Sequence, residues 1–527
     1  FGSRFSPAMA AIGPQKPPIR FRALEKVKPE LIPAPLQDLC LRRLAKNLKE
    51  LDNEARAKLW EAIPQRLEQQ QIEKVFTLLS LEIPIAEAAI RINDEPYWKR
   101  RTVAHFGRNV QIKDHGMSWK QGFIERVLAE KLEKLQINYT DEEKAAVKEI
   151  VWAGRKYIFQ LRLSQLPSHV DLNQFFDALP ALTRLTITYG NRRLGMNYER
   201  ALFGMKISDA HYLARTVRVC QTLTSLSLPC NMVDDELVRM LMAGLKHGHM
   251  LTSLDLSHNR IGDRGARRLA ELLDRRFCLH QLDLSDNQIH ANGAMHIGAH
   301  LADNQTLAVM NLRLNRCEDN GVSHLFQDMC VNKHLRVLNV SCNDLTIRCV
   351  PYLNEMVTQN SSLQNLDLSG NPIYNPADTD EMVDRPPTPD GDGAPAALEE
   401  DSPIAQFVQA IESNRGLRQL DLRSCALPTD LETSLTRTVK HRDLAAKGIP
   451  VEAYERVPQQ TVEEIPQPTE GEAEEQAEAA PADSAAEEKS AEKEDGAPAA
   501  EANGSAEEAP PAQPPAEGEA PAPAAEG

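Results

Sequence analysis

The apolar positions of this chain recur at a fixed step. The series L-x-x-L-x-L-x-x-N runs through Leu223, Leu226, Leu228 and Asn231, and again through Leu251, Leu254, Leu256 and Asn259. It returns at Leu279 to Asn287, at Leu307 to Asn315 with Met310 in second place, at Leu335 to Asn343 with Val340 in third, and at Leu363 to Asn371. These six copies follow one another every 28 residues. Such self-similarity is read before any local propensity. Within each copy the alternation of apolar and polar residues predicts a short strand. After each asparagine the period changes to that of a helix. Asn259 is followed by IGDRGARRLAELL, in which Ala266, Leu269, Leu272 and Leu273 fall on one face, and Asn287 by IHANGAMHIGAHL. Gly265-Ala266 and Gly293-Ala294 open these two helical runs.

One strand, turn and helix cannot bury its own apolar face, but a stack of them can. The pattern therefore predicts an α/β fold, a leucine-rich-repeat solenoid of ribonuclease-inhibitor-like type with 28-residue repeats, strands inside and helices outside. Each asparagine is expected to satisfy backbone groups in the turn between units. Degenerate copies flank the six. Upstream stand Ile158-Leu161-Leu163 and Leu182-Leu185-Ile187, the latter with Gly190 in place of asparagine. Downstream stands Leu417-Leu420-Leu422, ending in Cys425. Leu223 lies 41 residues after Leu182, and Leu417 lies 54 after Leu363, so both of these units carry insertions. About nine units fill residues 158–440.

Ahead of them, residues 35–157 are predicted to form a helical module. Its first stretches, over 35–95, are expected to break at Pro64, Pro84 and Pro96. An amphipathic helix follows over 117–137, and another starts at Asp141. The module is placed to cap the open N-terminal end of the solenoid, where core would otherwise be exposed. Residues 1–34 are expected to be disordered, 441–460 to be a linker, and 374–402 and 461–527 to be disordered because acidic Pro- and Ala-rich sequence cannot offset chain entropy by burial.

Charge sharpens this division. The formal net charge is -16, yet residues 461–527 hold 19 acidic residues against Lys489 and Lys493 alone. Residues 374–402 hold nine acidic residues and one arginine. The acidity belongs to a tail and a loop, and the remaining body is mildly basic. No run of 18 apolar residues predicts a membrane helix, and the first residues, which open on Phe1, lack the apolar segment of a secretory signal. The nine cysteines are scattered with no C-x-x-C pair, which fits reduced thiols in the cytoplasm.

Little in the sequence points to catalysis. Phosphate-binding, dinucleotide-binding, zinc-protease and nucleophile-elbow motifs are missing. The expectation is a non-enzyme with no cofactor and no metal. His247 and His249 read as polar residues between helix and strand. Cys230 and Cys342, beside the repeat asparagines, read as small packed thiols.

The strand face carries more information. Residues between the leucines alternate outward, giving a column Asp255, Asp283, Asn311, Asn339, Asp367, Asp421 on the expected concave side, with Arg313 and Arg423 two positions beyond Asn311 and Asp421. Asp in L-D-L-S is a habit of such repeats. The functional alternative is an acidic groove for a basic or helical protein partner, its side chains dispensable to the core. A second candidate contact is the basic run Lys99, Arg100, Arg101 beside Tyr97 and Trp98, which otherwise reads as a solvated helix end or loop. Nucleic acid is not expected, since the basic excess is small and the strand face acidic, and no membrane contact is expected.

Four stretches carry a resemblance: NDEPYWKRR (93–101), MSWKQGFIERVL (117–128), YGNRRLGMNYERALFGMKISDAHYLA (189–214) and LTSLDLSHNRIGDRGARRLAELL (251–273). They resemble the family of the fifth subunit of the nexin–dynein regulatory complex, also called T-complex-associated testis-expressed protein 1, over roughly residues 90–440. The third stretch is the most specific, being an insertion between repeats, and it adds Arg192 and Arg193 to the candidate basic contacts. The resemblance implies a scaffold in the cytoskeleton of the axoneme of motile cilia and flagella, where the complex links outer doublet microtubules and regulates dynein-driven motility. It implies other subunits of that complex as partners, with tubulin of the doublets or dynein as further ones. The alternative is a Ran-type GTPase-activating protein, which also joins such repeats to an acidic tail. The helical module and the 190–206 insertion are expected only for the first.

Overall fold

The computed structural model describes residues 36–108, 110–135, 139–176, 179–190, 203–247, 250–374 and 402–448. The expected disordered segments 1–34 and 461–527, the interior of 374–402 and the linker beyond 448 lie outside the described residues.

Among the described residues nine strands form one parallel sheet in sequential order: β1 (Gln160–Leu166), β2 (Arg184–Tyr189), β3 (Ser225–Ser227), β4 (Ser253–Asp255), β5 (Gln281–Asp283), β6 (Val309–Asn311), β7 (Val337–Asn339), β8 (Asn365–Asp367) and β9 (Gln419–Asp421). The 28-residue step fixes the register from β3 to β8, and β9 keeps it across its 54-residue step. Leu226 pairs with Leu254, Leu254 with Leu282, Leu282 with Met310, and so on to Leu420. All are buried. Parallel neighbours need a crossover, and a helix supplies it in each complete repeat, as in Asp235–Leu245 and Ala291–Asp303. The last helix, Thr429–Ala446, runs past the expected end at 440.

The repeat asparagines do what buried backbone demands. Asn259 donates from Nδ2 to the carbonyls of Leu228 and Leu256, each at 2.9 Å, while its Oδ1 accepts from the N–H groups of Asn231 and Val233 at 3.0 Å. Each asparagine thus ties its own turn to the preceding one. Asn231 also serves the unit that has Gly190 instead, accepting from Tyr189 N at 2.6 Å and donating to Ile187 O at 2.7 Å. At the far end Cys425 substitutes weakly, its thiol donating to Leu368 O at 3.3 Å. The residue before each asparagine is left-handed: φ is 58° at Cys230, 56° at His258, 52° at Asp286, 55° at Leu314, 52° at Cys342 and 72° at Gly370.

A second ladder runs along the helix ends. Asn304, Asn332, Asn360 and Asn414 are buried and follow the repeat helices. Asn332 donates to Leu301 O at 2.7 Å and Asn304 O at 3.2 Å, and accepts from the N–H groups of His334 and Leu335 at 2.9 and 2.8 Å. Each of these side chains satisfies carbonyls that a helix end leaves without partners.

The N-terminal helices are α1 (Leu36–Glu50), α2 (Asn53–Arg66), α3 (Gln69–Leu78), α4 (Ile85–Arg91), α5 (Glu95–Phe106), α6 (Trp119–Glu133) and α7 (Asp141–Gly154). The expected break holds at Pro84, whereas Pro64 and Pro96 are taken into helices. Pro64 lies within the last turn of α2, Pro84 precedes α4, and Pro96 sits in the first turn of α5. Pro is tolerated in a first turn, where its missing N–H costs nothing. Helix α7 starts at Asp141 behind a capping box, with Thr140 Oγ1 accepting from Glu143 N and the Glu143 carboxylate from Thr140 N. Helix α6 joins two cores. Phe123 and Val127 pack with Trp98, Tyr97 and Leu48, whereas Ile124, Leu128 and Leu132 pack into the core of the repeats.

Helix α6 also closes the sheet edge. Strand β1 would otherwise leave its outer N–H groups unpaired, a liability in any edge strand. The buried Glu125 carboxylate accepts from Phe159 N at 2.9 Å and Gln160 N at 3.0 Å, and Glu133, two turns later, accepts from Ser164 N and Oγ at 2.5 and 2.9 Å.

Candidate protein-docking surface

The strand face bears the expected column, but its carboxylates are engaged in the structure itself. Asp255 accepts from Ser257 N at 3.0 Å and from Ser227 Oγ at 2.6 Å. Asp283 accepts from Ser285 N and from Asn311 Nδ2, and Asp367 from Ser369 N and from Asn339 Nδ2. Asn311 and Asn339 accept in turn from the N–H groups of Arg313 and Ser341. Asp421 accepts from Arg423 N and pairs with the Arg423 guanidinium at 2.6 Å. That hydrogen bond holds the Asp421 carboxyl below the ordinary carboxylate range. The column is therefore half-buried and closes the turn after each strand. The expectation that these side chains are dispensable is corrected: they point outward, yet each satisfies a backbone donor.

The basic run is also corrected in part. Residues 95–106 are helix α5, capped by Asp94, and Tyr97 and Trp98 are fully buried. Arg101 is buried with them at 6% exposure. It donates to the Tyr97 hydroxyl at 3.0 Å and to Ile83 O at 2.6 Å, and stacks 5.1 Å from the Phe123 ring. A guanidinium so enclosed holds the module together and cannot reach a partner. Lys99 and Arg100 are exposed on the same helix, Lys99 over the Trp119 ring and Arg100 donating to Phe76 O at 2.7 Å. Arg192 and Arg193 lie outside the described residues.

Cys342 is half-buried, but Cys230 is exposed and not packed as expected. His247 is exposed and His249 lies outside the described residues, among which no metal-binding cluster occurs.

Two depressions meet at β1. One, of about 410 Å³, follows the strand face across β1 to β5 and is lined by Arg162, Arg184, Thr186, Ser225, Ser253 and Gln281 among others. The other, of about 660 Å³, lies between β1 and helices α5 and α6. It contains the pairs His115–Glu125 at 2.6 Å and His105–Glu130 at 2.8 Å. Gln160 and Arg162 line both. Sequence reasoning passed over Arg162, which stands one unit before the column was taken up at Thr186, and Arg184, which stands two positions ahead of that column on its strand. It also passed over Glu125 and Glu133, whose role depends on which strand their helix meets.

The family described as Leucine Rich repeat matches residues 247–270, 277–298 and 331–346. Among curated proteins, dynein regulatory complex subunit 5 of Chlamydomonas reinhardtii is 35% identical over 215 residues, covering 40% of this chain and 51% of that protein. The Mus musculus protein of the same name is 33% identical over 243 residues and the Homo sapiens one 31% over 238, each covering 40% of this chain and 45% of the relative. The chain thus spans about half the length of the curated relatives it matches. A solved TLR13 complex is 17% identical over 51% of this chain and 33% of that one, with a TM-score of 0.28. On these identities the chain is, over 40% of its length, a homologue of the proteins named dynein regulatory complex subunit 5.

Proposed function

We propose that this chain is a non-catalytic structural subunit of the dynein regulatory complex in the axoneme of cilia and flagella, bridging other subunits of the linker between outer doublet microtubules. The observation that carries this reading is the 35% identity over 215 residues to a protein named as a subunit of that complex. The architecture supports it. A sheet of nine parallel strands gives a long, rigid face whose side chains are held by turn hydrogen bonds, which is the property a bridging subunit needs. Contacts with tubulin or dynein belong to the same proposal, through the exposed Lys99 and Arg100 and through Arg192 and Arg193. Among the described residues no helix is long and apolar enough to cross a membrane.

The test is cross-link mapping on isolated axonemes carrying the tagged chain. Cross-links to other subunits of the complex are expected. Cross-links to a small GTPase instead, with faster phosphate release when the purified chain is added to that GTP-loaded protein, would defeat the proposal.

A further inference from the structure

The free charge on the first strands of the sheet face is basic, and it lies where the two depressions join. Arg162 on β1 and Arg184 on β2 are both exposed. In the register Gln160 pairs with Arg184 and Arg162 with Thr186, so the two arginines are diagonal neighbours on adjacent strands. Neither makes an ion pair or a side-chain hydrogen bond among the described residues. This sets them apart from the carboxylates farther along, which are engaged in turns, and from Arg423, which is spoken for by Asp421. Beyond them the groove offers the neutral polar side chains Ser225 on β3, Ser253 on β4 and Gln281 on β5, a row two positions ahead of Asp255 and Asp283 on the same strands.

We infer that this groove docks an extended polypeptide segment of a partner subunit, with carboxylates placed over Arg162 and Arg184 and neutral residues running over β3 to β5. The inference rests on the proposed role as a bridging subunit and names the chemistry of one of its contacts. The planar guanidinium matches a carboxylate with two parallel hydrogen bonds. The serines and the glutamine can meet the amide groups of an extended chain, which needs such partners when it loses water. Nucleic acid fits worse. It carries a charge on every residue, and a strand long enough to span the groove would pass Glu130 and Glu133 at one end and Asp255 and Asp283 at the other. A peptide places its charges only where the arginines are.

The experiment uses the full chain and a fluorescein-labelled twelve-residue peptide with two adjacent glutamates at one end and Ser, Ala and Gly elsewhere, read by anisotropy. Saturable binding is expected, weakening with added salt. The double reversal Arg162→Glu with Arg184→Glu should weaken it roughly tenfold or more, the range for a lost charge-assisted pair, with an unchanged melting temperature because both side chains are exposed. Reversal of Arg336 and Arg418, exposed at the other end of the sheet, should leave the affinity as it is, and glutamine in place of the two glutamates should lower it. No binding, or equal binding by the Arg162/Arg184 variant, would overturn the inference. So would tighter binding of an oligothymidylate of the same length, or of a peptide copied from residues 461–480 of this chain, which would assign the groove to nucleic acid or to the chain itself. The assay contains no axoneme, so its failure leaves membership in the complex untouched. Cross-links that miss the complex would defeat that membership without touching the peptide result.

Discussion

Asparagine is a poor residue to bury unless both ends of its amide find partners. Here two sets of buried asparagines do, at Asn231 to Asn371 along the strand turns and at Asn304 to Asn414 along the helix ends. Asn332→Ala removes two donor contacts and two acceptor contacts at once, and is expected to cost about 2–4 kcal/mol in urea unfolding. A loss under about 0.5 kcal/mol would show that water takes over the freed groups. The strand-turn set was legible, because it closes the L-x-x-L-x-L-x-x-N series. The helix-end set follows its own rule in the later repeats, Asn three residues before the first leucine, as in Asn304–Leu307 and Asn332–Leu335. It went unread because that position falls outside the strand pattern. The cysteines divide by the same logic of burial. Burial pushes the Cys425 thiol up to about 12 and those of Cys317 and Cys349 higher still. Since the thiolate is the reactive form, iodoacetamide at pH 8 is expected to label the exposed Cys40, Cys230 and Cys278 and to spare these three until the chain is unfolded. Early labelling of Cys317 would contradict the buried placement.

At the level of elements, the arrangement turns on what covers the first strand. An amphipathic helix over 117–137 can be read from its spacing, but spacing cannot say that Glu125 faces the backbone of β1. That follows only once α6 is shared between the two cores. Glu125→Ala leaves Phe159 N and Gln160 N without an acceptor, and is expected to cost about 2–4 kcal/mol and to speed amide hydrogen exchange in β1 while β5 stays protected. Glu125→Gln, which keeps an acceptor, should cost less. Equal exchange in wild type and Glu125→Ala would mean that α6 does not cap the edge. Helix α5 teaches the opposite lesson. Its run of Lys99, Arg100 and Arg101 suggested one solvated basic patch, yet helical geometry turns Arg101 inward against Phe123 and leaves the other two outside. A charge run read without its period merges residues that a helix separates.

The whole molecule was legible where it repeats. The 28-residue step sets the register of β3 to β8, and the degenerate units at either end, including the one that ends in Cys425, continue the same sheet across steps of other lengths. The candidate site was less so, because a column of carboxylates looks the same whether it waits for a partner or closes a turn, and only the hydrogen bonds separate the two. Asp255 and Asp283 are therefore unsuitable for testing docking, since their reversal would damage the turns first. Arg162 and Arg184 are free of that objection. The central claim, a bridging subunit seated in the axonemal linker, is tested most directly by co-sedimentation of the purified chain with axonemes stripped of the native subunit. Saturable rebinding is predicted, together with its loss on axonemes that lack the rest of the regulatory complex. Equal rebinding to both kinds of axoneme, or none to either, would contradict the account.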